Sequence, residues 1–130
     1  MPAVTGVLET ALYVEDVPRA ARFYRDVFGF NELVCDDRLC ALSVADRQVL
    51  LLCKRGTSTG HLPPHDGSGQ LHLAFSMAAA EFTAWEQQLA AKGIAIESRV
   101  RWPEGGQSLY FRDPDQHLVE LATPGTWAIY

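Results

Sequence analysis

"LETALYVEDVPRAARFYRDVFGF", residues 8–30, decides the architecture. It opens as a strand whose alternation puts Leu8, Thr10, Leu12 and Val14 on one face and Glu9, Ala11 and Tyr13 on the other. Asp16 then stands where a helix needs an N-cap. Val17, Ala20, Ala21, Tyr24, Val27 and Phe28 follow at helical spacing, with Arg19, Arg22 and Arg25 on the opposite side. Gly29 suits the left-handed residue that stops a helix. Short strands are predicted near 31–35, 39–44 and 48–54, separated by "DDR" and "ADR" turns.

The same order returns further on. "LHLAFSM" (71–77) reads as a strand and "AAAEFTAWEQQLAAK" (78–92) as a helix, with Phe82, Trp85 and Leu89 on one stripe and Gly93 as its stop. Strands near 95–102, 107–112 and 117–122 complete the set. The spacing from Glu9 to His72 is 63 residues, from Gly29 to Gly93 64, and from Asp46 to Asp115 69. About five residues have therefore entered the second copy between its helix and last strand. The fold expected is α+β: two tandem βαβββ modules forming a curved mixed sheet around a cleft, helices on the convex side. Module one spans about 6–54, a Gly, Pro, Ser and Thr-rich linker 55–69, module two about 70–124, and a tail 125–130.

Strand alternation says which side chains leave the helix side of each sheet. In 71–77, Leu71, Leu73 and Phe75 suit the helix, leaving His72, Ala74 and Ser76 on the other face. In "RDPDQHLVEL" (112–121), Leu118 and Glu120 share a face, and His117, Val119 and Leu121 the other. Glu9, His72 and Glu120 thus all point toward one expected cleft. A carboxylate among apolar residues is costly without a partner. Two carboxylates and an imidazole can hold a divalent cation with positions left open for water or substrate. The alternative for Glu120 is an arginine partner, and for His72 a satisfied core position.

Composition narrows the function. A chain of 130 residues suits one domain, and a net charge of −5 argues against nucleic acid. No apolar run reaches the ~20 residues of a membrane span. "MPAVTG" lacks the basic start and apolar middle of a signal peptide. Cys35, Cys40 and Cys53 are odd in number and lack C-x-x-C. Cys35 and Cys40 could meet across a hairpin, but free thiols in a reducing cytoplasm are the expectation.

"LETALYVEDVPRAARFYRDVFGF", "LHLAFSM" and "YFRDPDQHLVELATP", in this order, resemble the vicinal oxygen chelate superfamily, also called the glyoxalase/bleomycin resistance protein/dioxygenase superfamily. The resemblance covers about residues 6–124. It implies paired βαβββ modules, a homodimer, and a metal held by first and last strands of the modules. His72 matches the ligand histidine that opens the second module. Glu120 matches the glutamate after the D-P-D-G turn. Glu9 falls where many members have histidine. The fourth ligand position of glyoxalase-like members falls on Leu51, which cannot bind a metal. Gln116 replaces the turn's usual glycine, and a left-handed non-glycine residue costs on the order of 1 kcal/mol.

The function implied is a glyoxalase-like, metal-dependent lyase or isomerase acting on a small oxygenated or thiol-conjugated molecule, with Glu9 and Glu120 as catalytic candidates. A ring-cleaving extradiol-type dioxygenase is the alternative. So is a non-catalytic protein that sequesters a drug or other ligand. The cofactor implied is one divalent metal, Ni, Zn, Mn, Mg or Fe; two carboxylates and one histidine favour the harder ions over ferrous oxygen chemistry. Tyr13, Trp102 and Tyr110 are candidates for a substrate pocket, against ordinary core packing. His61 and His65 read as solvated loop histidines. Arg99 and Arg101 read as a solvated strand face. Trp127 and Tyr130 are apolar enough to dock on the domain or on a partner subunit.

Overall fold

The computed structural model describes residues 1–57 and 62–130. The chain forms two compact units, Met1–Ser68 and Gly69–Tyr130. Each holds a four-stranded mixed sheet and a helix, the α+β plan expected.

In unit 1, β1 (Glu9–Val14) leads into α1 (Val17–Phe28), then β2 (Asn31–Cys35), β3 (Leu39–Val44) and β4 (Gln48–Lys54). The Asp16 side chain accepts the Arg19 amide, and Gly29 closes the helix at φ 71°. Val17, Ala20, Ala21, Tyr24 and Val27 are buried, while β1 turns Leu12 and Val14 inward. The helix packs on β3 and β4. β1 runs parallel to β4, and the sheet order is β1-β4-β3-β2.

Unit 2 repeats the order with β5 (His72–Ser76), α2 (Phe82–Ala91), β6 (Ser98–Arg101), β7 (Gln107–Arg112) and β8 (Leu118–Ala122), arranged β5-β8-β7-β6. The duplication is visible in the register. Glu9 pairs with Val49 and Ala11 with Leu51; His72 pairs with Leu118 and Ala74 with Glu120. Glu9 is therefore the counterpart of His72, and Leu51 of Glu120.

Several local expectations shift. The second helix starts as a 3-10 turn over Ala79–Glu81, because no Ser, Thr, Asp or Asn side chain caps it. The sixth strand is shorter than the predicted 95–102. Cys35 and Cys40 are not free thiols; they are joined as a disulfide, being direct register partners on β2 and β3. Cys53 is free and buried, and its thiol is pushed up by burial and by the charge of Glu9. Gln116 does take the left-handed conformation, at φ 66°. Its turn is held by Asp113, whose carboxylate accepts the amides of Asp115 and His117. Tyr130 docks by donating to the carbonyls of Met77 and Ala122, whereas Trp127 is exposed. No helix among the described residues is long and apolar enough to cross a membrane.

Candidate metal centre in the second unit

Glu120 sits in the middle of β8, and its residue is only 6% exposed. The parallel pairing with β5 and the antiparallel pairing with β7 set Ala74 on one side of it and Tyr110 on the other. One carboxylate oxygen, Oε2, accepts from Ser108 Oγ at 2.7 Å. Ser108 in turn accepts from the Trp102 indole N–H at 2.8 Å. Tyr110 also bonds to Glu120. Its phenol is held above the ordinary tyrosine value, first by burial, then by the Glu120 charge and that hydrogen bond. Among the described residues, then, the partner of Glu120 is not an arginine.

The other oxygen, Oε1, faces His72 Nε2 at 3.2 Å. His72 Nδ1 lies 2.9 Å from the Leu118 carbonyl oxygen, which can only accept. Nδ1 therefore carries a proton, and in a neutral ring Nε2 presents a bare lone pair to a carboxylate oxygen. Two acceptors at that distance repel unless a proton or a cation stands between them. A backbone carbonyl fixing the far nitrogen is the usual second support of a metal-binding imidazole. The pair thus fits a divalent cation. The His72 ring also lies against Tyr110, with centroids 6.4 Å apart.

The remaining sequence candidates are distributed as follows. Glu9 is exposed on β1 of unit 1. Tyr13, four residues on and on the same strand face, binds His65 Nδ1 through its hydroxyl at 2.7 Å. His65 is an exposed loop histidine, as expected, but its ring is tied to β1 rather than free. The reason lies in Asp66, whose carboxylate accepts the amides of Gly56 and Gly67 and folds this stretch back against β1. Those bonds also hold the Asp66 carboxyl below its usual range. A Cβ at Gly67 would fall 2.5 Å from the Tyr13 ring, so glycine is what lets the chain pass there. His61 lies outside the described residues.

Unit 1 also contains a cavity of about 470 Å³, lined by Glu9, Leu51, Cys53, Leu62 and His65, with Asp36, Arg38 and Leu39 at its wall. Tyr110 supports Glu120 directly, and Trp102 only through Ser108. Arg99 is paired with Glu86, as a strand-face residue would be. His117 is a satisfied core histidine, wholly buried and accepting the Leu71 amide. The residue that sequence reasoning missed is Ser108. Its signal was present: it lies two residues before Tyr110 on the same strand face.

A model of the Glyoxalase/Bleomycin resistance protein/Dioxygenase superfamily matches residues 6–121. The chain belongs to this superfamily. Among its members, the metallothiol transferase FosB of Staphylococcus epidermidis is 28% identical over 122 residues, 92% of this chain and 82% of that protein. The catechol-2,3-dioxygenase of Bacillus subtilis is 29% identical over 111 residues, 85% of this chain and 38% of that protein. Among solved structures, the lactoylglutathione lyase from Agrobacterium tumefaciens matches with a TM-score of 0.89 and 34% identity, over 98% of this chain and 99% of that one. The chain is thus similar to proteins named for thiol transfer, for a dioxygenase and for a lyase.

Proposed function

We propose that this protein is a metal-dependent lyase or isomerase acting on a small thiol conjugate. The observation that carries the reading is the His72 Nε2–Glu120 Oε1 pair, two donor atoms aimed at one point with their far sides already held. Glu9, the counterpart of His72, is proposed to complete the donor set, from its own chain or from a second copy. Two carboxylates would balance the dication, and the 34% identity to a lactoylglutathione lyase supports the substrate class.

The metal, when bound, would stabilise negative charge on a pair of substrate oxygens. The chain's own residues do the rest. Ser108 and Tyr110 keep Glu120 in one orientation. Leu118 keeps the imidazole turned. Glu9, exposed and not held in this way, is the better carrier of a proton between adjacent substrate carbons. Thiol transfer is the second reading, favoured by the similarity to a metallothiol transferase.

Calorimetry with Ni²⁺, Zn²⁺, Mn²⁺ and Mg²⁺ tests the site, with one ion per chain expected. A substrate test follows with each metal restored. Glutathione and methylglyoxal should yield lactoylglutathione. Oxygen uptake with a catechol would select the ring-cleaving alternative. A chain that takes up no metal and still binds aromatic ligands would be a sequestering protein. We further propose a homodimer, because Val4, Val7, Leu8, Leu33, Val34, Trp127 and Ile129 are exposed apolar residues. Light scattering at the mass of one chain, 14.4 kDa, would refute it.

A further inference from the structure

Cys35 and Cys40 face each other across the β2–β3 hairpin, and a bulge between Glu32 and Val34 decides what lies beside them. In an unbroken strand Glu32 and Cys35, three residues apart, would point to opposite faces. The bulge adds one residue, so Glu32 opposes Leu42 while Cys35 opposes Cys40. Leu42 and Cys40 are both buried on the helix side of the sheet. One carboxylate oxygen of Glu32 and the two sulfurs consequently lie within 4.8 Å of one another. A cavity of about 320 Å³ opens beside them, lined by Arg22, Arg25, Glu32, Cys35, Asp36 and Asp37. Three carboxylates there meet two guanidinium groups, and Arg25 is already held by Glu32. None of these residues belongs to the His72–Glu120 centre.

We propose that reduction turns this corner of unit 1 into a second metal site, for a thiophilic divalent cation, with Cys35, Cys40 and Glu32 as ligands. A dithiol reductant delivers two electrons and two protons to the S–S bond and is itself oxidised to a cyclic disulfide. The cation then displaces the two thiol protons to solvent and binds both thiolates. Two thiolates and a carboxylate carry one negative charge more than the dication neutralises, and Arg25 offsets it. Three protein ligands leave a fourth tetrahedral position for a water from the cavity. The oxidised chain has no thiolate to offer, so the site exists only in the reduced state. Cys35 is exposed, which gives the reductant access. The hairpin tip, Asp36 to Leu39, also walls the larger cavity of unit 1, so a change at the sulfurs has a short path to it.

The test uses the full chain carrying His72→Ala, so that the unit 2 centre is weakened. The protein is reduced with dithiothreitol, freed of it without air, and titrated with Co²⁺. The reduced chain should develop a sulfur-to-cobalt charge-transfer band in the near ultraviolet that saturates at one equivalent; the oxidised chain, folded and otherwise identical, should not. Cys35→Ser should abolish the band, and Cys53→Ser should leave it unchanged. Glu32→Gln should keep the band but raise the Co²⁺ dissociation constant at least tenfold. A reduced chain without the band, or a band unaltered in Cys35→Ser, overturns the proposal. An unchanged affinity in Glu32→Gln overturns the assignment of the third ligand.

Discussion

The two units have the same strand order and register, yet they differ where it matters. At the equivalent register position of the last strand, opposite Ala11 in unit 1 and Ala74 in unit 2, unit 2 has Glu120 and unit 1 has Leu51. Around Glu120 stand two donors, Ser108 and Tyr110, with His72 facing its other oxygen. Around Leu51 stands an open cavity with Cys53 and Glu9 on its lining. A duplicated scaffold keeps its backbone pairing because hydrogen bonds do not depend on side chains. Its chemistry can diverge one strand face at a time.

The largest expected effect comes from making unit 2 resemble unit 1 in charge. Glu120→Gln keeps the shape and removes a charge that balances the cation. Metal affinity should fall at least tenfold by calorimetry, a loss of about 1.4 kcal/mol or more. The metal-free protein should melt no lower, because the amide N–H can donate to the His72 lone pair. Wild-type affinity in this variant would remove the centre proposed here.

Ser108→Ala is the next step down. It takes one hydrogen bond from a buried carboxylate and leaves the Trp102 indole N–H without its acceptor. Stability should drop by about 1–3 kcal/mol in urea unfolding. Metal affinity should fall only modestly, since Oε1 stays in place. A variant as stable as the wild type would mean that Ser108 does not support Glu120.

The comparison is sharpened from the other side by Leu51→Glu, which gives unit 1 the carboxylate of unit 2. If Glu9 joins the metal as proposed, Leu51→Glu should raise metal affinity a few-fold. It should also lower the melting temperature of the metal-free form, through repulsion with Glu9. No gain in affinity would separate the β1–β4 face from the metal.

The smallest effect is spectroscopic. Burial and neighbouring charges raise both Tyr13 in unit 1 and Tyr110 in unit 2 above the ordinary tyrosine value. Ultraviolet titration of the four tyrosines should therefore show late-ionising phenols. Tyr110→Phe should remove one of them. The sign follows from the neutral phenol being favoured in the folded state. Its contribution is full below the unfolded tyrosine value of about 10 and is lost as pH rises through the raised folded value. A titration curve unaltered by Tyr110→Phe would place the late phenol elsewhere.

Much of this was legible in residues 8–30 and their echo after 71. Period-two and helical patterns are local, and Asp16 and Gly29 act within one turn of where they stand, so strand, helix and repeat could be read directly. The face that each of Glu9, His72 and Glu120 takes on its own strand followed from alternation alone. Three things needed the tertiary structure. The Nδ1–Leu118 bond chooses the nitrogen that His72 presents, and it depends on parallel pairing of strands 46 residues apart. Ser108 reaches Glu120, and carries the Trp102 bond with it, only because β7 lies beside β8 in one particular register. The placing of Glu32 beside the Cys35–Cys40 pair rests on a bulge that no periodicity marks. A side chain's type and face are properties of its own strand; its partners are set by which strand lies next to it, and in what register.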